Sequence, residues 1–288
     1  MTRLQQLSVV GVSAVLLILG FVASELPGAG AGALLHPGRR RVVGPPPPSC
    51  TERTFAGDGV SLKGWHCRAS APRRGTLVYL HGVADNRTSG AGIVDRFGRR
   101  GFDVIAYDSR AHGESDGDVC TYGYFEKIDL HRVLDAVDPG PIVLIGTSLG
   151  AAVALQEASQ DRRVVAVVAA ETFSDLRTVA TERAPFFFTR GTIARALDLA
   201  EQQGRFQVDA VSPVAAASTL TQPVLLIHGA ADIDTSPAHS QRVLAALAGP
   251  KRLILVPGAG HNGSLRGDVW AEIDRWVDGV MPRSPGVP

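Results

Sequence analysis

Short runs of apolar residues alternate along the chain with longer amphipathic stretches. Six runs are predicted as strands, each closely followed by Gly, Ser or Asp: Gly75–Leu80, Phe102–Tyr107, Ile142–Ile145, Val164–Ala169, Val224–Ile227 and Arg252–Val256. Helical patterns such as Lys127–Val137 and Ser240–Ala248 lie between them. Near-continuous apolar strands are typical of parallel sheets covered by helices on both faces. The pattern therefore predicts an α/β fold with a mainly parallel, doubly wound sheet.

One interval between predicted strands is much longer than the others. Residues 173–222 contain the triplet Phe186-Phe187-Phe188 and a helical pattern over Thr192–Gln203. Ordinary connections in compact domains are shorter than this. We therefore expect a small helical cap at about residues 173–222, with a crossover that carries a longer helix as the alternative.

The chain begins with an uninterrupted apolar run, Leu7–Ala23, which has no charge and follows Arg3. Its length is near the roughly 17 to 25 residues that cross a bilayer. We predict that residues 1–26 are a signal anchor or a signal peptide.

Small residues at 29–33 offer cleavage sites, whereas the length of the apolar run favours retention of the segment. Residues 39–41 are all Arg and compete with Arg3 in setting the orientation. The prediction is a single-pass anchor with an extracytoplasmic domain, and secretion after cleavage is the alternative.

Residues 27–49 are rich in Gly, Pro and Arg and end in four prolines before Ser49. This composition is typical of an extended linker, so the folded domain is predicted to span residues 50–288. A hairpin that turns at Gly57–Val60 would open the domain and place Cys50 opposite Cys67. The two cysteines are compatible with a cross-strand disulfide or with two free thiols.

Composition narrows the classes of partner. The 288 residues are 45% hydrophobic and 20% charged, as in a globular chain with one core. A net charge of +1 gives no electrostatic reason to expect a nucleic acid. Cys120 lies outside any CxxC or His-rich pattern, so neither a metal nor a redox cofactor is predicted.

A serine between glycines is the first candidate for chemistry. The turn Gly146-Thr147-Ser148-Leu149-Gly150 follows a predicted strand and precedes the apolar, helix-forming stretch 151–155. A serine hydroxyl is a weak nucleophile unless a sharp turn exposes it beside a base, and glycines on both sides permit that turn. The motif alone is common, and its specificity comes from the strand and the helix around it. Ser148 is therefore the predicted nucleophile.

The acid and the base should follow the serine in that order. Asp232 comes shortly after the strand Val224–Ile227, and His261 comes shortly after the strand that ends at Val256. Carboxyl ends of parallel strands meet at one edge of the sheet, so Ser148, Asp232 and His261 can converge there. The identity of the acid stays open, because Asp234, Glu171 and Asp175 could also bind the histidine, or could instead form turns or cap helices. Glu182 is a further acidic residue near the predicted cap.

Two backbone N–H groups are predicted to form an oxyanion hole. Leu149 directly follows the nucleophile, and Val83 lies in the loop after Leu80. Donors at these positions stabilise the charge that develops on an attacked carbonyl oxygen. His81, His112, His228 and His239 are interpreted as structural residues, because an imidazole after a strand commonly fixes a loop by hydrogen bonds.

With these motifs in view, residues 50–277 resemble the serine α/β-hydrolases, in particular the group related to serine aminopeptidase S33 and to membrane-anchored hydrolases of the BEM46 and ABHD12/13 type. Further matches are Leu80-His81-Gly82, Asp108–Ser115, Thr121-Tyr122-Gly123 with Glu126 and Asp129, and Ser212-Pro213 before Pro223. The resemblance implies the α/β-hydrolase fold, a cap, the triad and no cofactor. Ala111 departs from it, because the family usually has glycine at this position.

The function predicted from these residues is hydrolysis of an ester-like bond by a carboxylesterase or lipase-like serine hydrolase. The expected substrate is a small-molecule ester or acyl compound, and a lipid-like one is included. A peptidase or amidase with the same triad is the nearer alternative. In that case Glu171, Asp175 and Glu182 would hold the amino terminus of a peptide. The more distant alternative is a catalytically silent, membrane-tethered binding module.

Overall fold

The computed structural model describes residues 24–281. Within them the strands are β1 (Cys50–Ala56), β2 (Ser61–Cys67), β3 (Gly75–Leu80), β4 (Phe102–Tyr107), β5 (Ile142–Thr147), β6 (Val164–Ala170), β7 (Val224–Gly229) and β8 (Lys251–Val256). The helices are α1 (residues 24–35), α2 (Ala91–Gly98), α3 (Glu126–Asp135), α4 (Leu149–Ala158), α5 (Leu176–Glu182), α6 (Arg190–Gly204), α7 (Pro213–Ala217), α8 (Ala238–Ala246) and α9 (Gly267–Val280). Short 3-10 turns lie at Arg87–Gly90 and Val208–Ala210.

The strands form one sheet in the order β1-β2-β4-β3-β5-β6-β7-β8. Pairing is antiparallel on both sides of β2 and parallel from β4 to β8. β3, β4 and β7 are buried along their whole length, as their continuous apolar sequences require. The mainly parallel sheet predicted from the sequence is therefore confirmed, with strand ends that differ from the predicted ones by at most two residues.

Helices cover both faces of the sheet. Apolar side chains of α3, α4, α7 and α8 pack on one face, and those of α2 and α9 pack on the other. On α9, for example, Val269, Ile273 and Val277 are buried at helical spacing against the sheet. This two-sided covering buries the central strands and leaves the strand ends free to carry loops.

The first two strands form the predicted hairpin. Cys50 lies directly opposite Cys67 in the register, and the Gly57 N–H donates to the Val60 carbonyl across the turn at 2.7 Å. The two cysteines, for which the sequence left two states open, form a disulfide with an S–S distance of 2.02 Å. The third cysteine, Cys120, is buried and free.

The predicted extended linker over residues 27–49 is wrong in its first part, because residues 24–35 form helix α1. Ala31 and Leu35 of this helix are fully buried against residues of α6 and the turn that follows, including Leu197 and Phe206. Glycine lowers intrinsic helix propensity, which is why the composition indicated a linker, but tertiary packing outweighs it here. The remaining residues, 37–49, are irregular but attached to the domain. The guanidinium of Arg39 donates to the Ser115 carbonyl at 2.7 Å.

The predicted membrane segment Leu7–Ala23 lies outside the described residues. Within residues 24–281, no helix has the length and apolar character needed to cross a bilayer.

Helices α5, α6 and α7 occupy the interval for which a cap was predicted. α5 and α6 pack with α1 through a separate apolar cluster that includes Phe173, Leu176 and Leu197. Between α5 and α6, the side chain of Phe186 is 100% exposed and that of Phe187 is 55% exposed. We call α1, α5 and α6 together the helical layer.

The loop after β3 is held by a buried histidine. The Nδ1–H of His81 donates to the Gly82 carbonyl at 2.7 Å, and its Nε2 accepts the Ser109 N–H at 3.0 Å. These bonds require the neutral ring. Burial, with a smaller contribution from the nearby His112, lowers the pKa of His81 from 6.5 to about 4. The ring therefore fixes this loop only while it remains unprotonated.

This shift predicts a loss of stability in acid. Below pH 6.5 the unfolded chain protonates His81, whereas the folded chain does so only near pH 4, so the free energy of unfolding should fall as the pH drops through this window. The full contribution of His81 is on the order of 3 kcal/mol. Urea unfolding between pH 7.5 and 4.5 measures it. In His81→Gln the pH slope should be shallower, while the buried His112 and His239 remain in both proteins. Equal slopes would contradict this assignment.

Candidate functional site

Ser148 lies at the tight turn between β5 and α4. Its backbone has φ 48° and ψ −111°, a conformation that is costly for a residue with a side chain. A Cβ on Gly146 would lie 2.3 Å from the Gly150 carbonyl oxygen, and a Cβ on Gly150 would lie 2.2 Å from the Leu80 carbonyl oxygen. Only glycine fits at these two positions. The turn thus requires the glycines of the motif and raises the serine above the edge of the sheet.

The structure brings the three predicted triad residues together. His261 Nε2 lies 3.0 Å from Ser148 Oγ, and His261 Nδ1 lies 2.7 Å from Asp232 Oδ2. The other carboxylate oxygen, Oδ1, accepts the backbone N–H groups of Asp234 and Thr235 at 3.0 and 2.9 Å. These bonds orient the carboxylate toward His261. Because the Nδ1–H donates to Asp232, Nε2 is left as the acceptor that can take the proton of the serine.

The other candidate acids have different partners. Asp234 has an exposed side chain and contributes its backbone N–H to Asp232. Asp175 caps α5 by accepting the Thr178 N–H at 2.8 Å. Glu182 accepts from His239 Nε2 at 2.8 Å. The described contacts therefore give His261 one carboxylate partner, Asp232.

Glu171 has a role that the sequence analysis did not identify. Its buried carboxylate accepts the N–H of Asn262 at 2.6 Å and that of Ser264 at 3.0 Å. Both donors closely follow His261 in the chain. Bonds from backbone donors to a buried carboxylate are strong, so Glu171 fixes the loop that carries the histidine. Its position after β6 was visible in the sequence, but nothing there indicated which group it binds.

The two residues predicted to supply the oxyanion hole are both close to Ser148 in the chain or in the fold. Leu149 begins α4, and Val83 follows Gly82, where a Cβ would be 3.6 Å from the Ser148 Cβ. Within residues 24–281, neither N–H donates to another protein group. Both donors are thus available to an oxygen placed beside Ser148.

The remaining predicted structural histidines bond within the fold. His112 Nδ1 donates to the Arg110 carbonyl at 2.8 Å, and His228 Nε2 donates to the Thr235 carbonyl at 2.8 Å. His239 joins Ser174 to Glu182. Burial is the main factor that lowers the pKa of His112 and of His239. The bonds of these three rings hold together the loops that carry their partners.

Arg183, at the end of α5, is a neighbour of the site that no sequence pattern indicated. Its Nη2 lies 3.5 Å from His261 Nε2 and 3.0 Å from Thr235 Oγ1, and its Nε donates to the Asp234 carbonyl at 2.7 Å. The guanidinium therefore links the helical layer to the loop of Asp232. It lies beside the histidine nitrogen that faces Ser148.

Two groups of His and acidic side chains lie elsewhere in the described residues: His66 with Asp103 and Asp138, and His131 with Glu157 and Asp161. Arginines already pair with these carboxylates, Arg73 with Asp103 at 2.9 Å and Arg163 with Asp161 at 2.6 Å. Such pairing is typical of structural ion-pair networks. Ser148, Asp232 and His261 belong to neither group.

Relatives of the chain match over most of its length. The uncharacterized protein YfhR of Escherichia coli K12 is 29% identical over 281 residues, which covers 93% of each chain. The uncharacterized protein Rv2307c of Mycobacterium tuberculosis H37Rv is 30% identical over 212 residues, 71% of this chain and 69% of that protein.

Solved structures share the fold. The esterase Pf2001 of Pyrococcus furiosus superposes with a TM-score of 0.67 at 20% identity, covering 85% of this chain and 98% of that one. The acylaminoacyl peptidase of Pyrococcus horikoshii superposes with a TM-score of 0.63 at 14% identity, covering 83% and 43%. At these identities the likeness is one of fold.

The family assignment rests on a sequence model of the alpha/beta hydrolase family, which matches residues 77–273. This span runs from β3 to α9 and includes the loops that hold Ser148, Asp232 and His261. The chain therefore belongs to the alpha/beta hydrolase family.

Proposed function

We propose that the chain is a serine hydrolase that cleaves carboxylic esters through an acyl-enzyme formed on Ser148. One observation carries the proposal: the hydrogen-bonded series Ser148–His261–Asp232, with distances of 3.0 and 2.7 Å, at the edge where the parallel strands end. Membership of the alpha/beta hydrolase family supports a hydrolase, and the ester class is our inference.

The proposed reaction has two steps. Ser148 Oγ bonds to the carbonyl carbon as its proton passes to His261 Nε2, and the N–H groups of Val83 and Leu149 stabilise the oxyanion. The carbonyl re-forms as the bond to the leaving oxygen breaks, and that oxygen takes the proton from Nε2. Water then attacks the acyl-enzyme in the same way, which releases the carboxylic acid and restores the serine. Asp232 stabilises the imidazolium in both steps.

The acids near the cap favour an ester over a peptide with a free amino terminus. Glu171 binds two backbone N–H groups, Asp175 caps a helix and Glu182 binds His239. Each of these carboxylates already bonds to a group of the chain, so none is a dedicated partner for an ammonium group. A peptidase that shares the triad therefore remains the second candidate, and a panel of aminoacyl amides against esters separates the two.

Labelling with a fluorophosphonate probe tests whether Ser148 is the nucleophile. It also separates a hydrolase from a catalytically silent binding module, which the probe would not label. The wild-type protein should be labelled, Ser148→Ala should not, and His261→Ala should react far more slowly. Ester turnover should fall by on the order of 10^4-fold or more in both variants. Ser218→Ala, at an exposed serine that bonds to the Ala215 carbonyl, is the control and should match the wild type. Absence of wild-type labelling would contradict the proposal.

Glu171→Gln tests the positioning of His261. The amide keeps the volume but offers one acceptor oxygen, so the Asn262 or Ser264 N–H loses its partner. We expect kcat to fall roughly tenfold or more with little change in KM, and stability to fall by about 1–3 kcal/mol.

The matched control is Glu157→Gln, because Glu157 is also a buried carboxylate but bonds to His131 at 2.7 Å. It should lose comparable stability and retain kcat. If the two variants have the same kcat, Glu171 is only structural.

We further propose that the N-terminal segment of residues 1–26, through its apolar run Leu7–Ala23, anchors the domain on the extracytoplasmic side of a membrane, with secretion after cleavage as the alternative. The Cys50–Cys67 disulfide supports an oxidising compartment. Under this proposal the full-length chain sediments with membranes and is released by detergent but not by salt. Protease added to cells stripped of their wall and any outer membrane should degrade the domain. Recovery from the medium without residues 1–26 would favour secretion, and protection from protease would contradict both locations.

A further inference from the structure

An apolar cavity of about 530 Å³, open to solvent on one side, lies between the helices of the helical layer. Its walls come from all three helices, with Leu26 and Ala33 on α1, Val179 and Ala180 on α5, and Ile193 and Leu197 on α6. This volume is within the range of small-molecule binding pockets. Among the described lining residues the single charged one is Arg183. A ligand that fills this space must be a hydrocarbon over most of its length.

One side chain, Arg183, contacts both the cavity and the proposed active site. Arg183 lines the cavity, and its Nη2 lies 3.5 Å from His261 Nε2, the atom that faces Ser148. The charged end of the cavity is therefore the end next to the nucleophile. Arg183 therefore lies between the nucleophile and the cavity, where a chain attached to a carbonyl at Ser148 would have to pass.

We propose that this cavity holds the acyl chain of the substrate, so that the esters cleaved are those of medium-chain or long-chain fatty acids. This inference rests on the proposed function, because an acyl-chain site requires that the protein cleaves esters, and it adds the class of ester that is cleaved. Each methylene moved from water into an apolar site favours binding by roughly fourfold. Arg183, which lines the cavity and lies beside His261, is placed to attract the carboxylate of the fatty acid product.

Helix α1 is an essential wall of this site. Its small residues allow the close approach: a Cβ on Gly30 would lie 3.0 Å from Phe188 and 3.1 Å from Ala196. Cleavage at the small residues 29–33 would divide α1 and remove part of this wall. Acyl-chain binding therefore requires a chain that keeps this helix.

Binding is tested apart from catalysis in Ser148→Ala, with dansyl-undecanoate as the fluorescent probe and dodecanoate as the competitor. A second substitution in the Ser148→Ala protein, either Ala33→Phe on α1 or Ala180→Phe on α5, places an aromatic ring in the cavity. Each should weaken dodecanoate binding by roughly tenfold or more. Gly32→Phe is the matched control on the same helix, because Gly32 does not line the cavity and a Cβ there meets no atom within 4 Å. It should leave the affinity unchanged.

Turnover by the otherwise wild-type chain completes the test. The wild type should prefer p-nitrophenyl dodecanoate to p-nitrophenyl acetate, and Ala33→Phe and Ala180→Phe should lose the dodecanoate activity selectively. Retained acetate activity shows that each variant is folded with an intact triad. If Ala33→Phe and Gly32→Phe have the same affinity and chain-length profile, the acyl-chain site is overturned while the hydrolase stands. If dodecanoate binds and Ala33→Phe weakens it but the wild type cleaves no ester, the cavity stands and the proposed function fails.

Discussion

Parallel pairing from β4 to β8 brings the carboxyl ends of six strands to one edge of the sheet, and the site depends on this constraint. The loops at this edge contribute different groups. The loop after β5 carries Ser148, the loop after β7 carries Asp232, and the loop after β8 carries His261. The loop after β6 adds Glu171, whose carboxylate fixes the backbone beside His261. A rigid buried sheet can hold groups from distant parts of the chain at hydrogen-bond distances, which isolated loops cannot do.

Local strain is concentrated in the same loops. Ser148, Glu171 and Asn262 have φ values of 48°, 57° and 62°, which residues other than glycine rarely adopt. Ala111, where the resembled family usually has glycine, also has a positive φ of 60°. Each such residue costs on the order of 1–3 kcal/mol. The extensive core on both faces of the sheet offsets this cost and keeps the loops in place.

The sequence was sufficient for those parts of the structure that depend on local pattern. The sheet strands followed from apolar runs, and the convergence of Ser148 with His261 followed from strand ends and chain order. Prediction from the sequence failed where the structure or role of a residue depends on a partner that is far away in the chain. Helix α1 contains glycines that disfavour a helix in isolation, yet burial of Leu35 against the helical layer stabilises it. Arg183 and Glu171 likewise acquire their roles from groups that are 78 to 93 residues away in the chain.

The attachment of residues 37–49 to the domain limits how far the domain can move from the proposed N-terminal anchor. A fully extended chain over residues 27–49 would reach roughly 75 Å, enough for the site to sample a large volume of solution. Instead, α1 packs into the domain, and the Asn86 side chain donates to the Arg40 carbonyl at 2.9 Å. With the proposed anchor in a bilayer, the enzyme has almost no tether. Under the proposed anchoring and the proposed acyl-chain site, its encounters with substrate are confined to the lipid surface, where an amphiphilic ester is most concentrated.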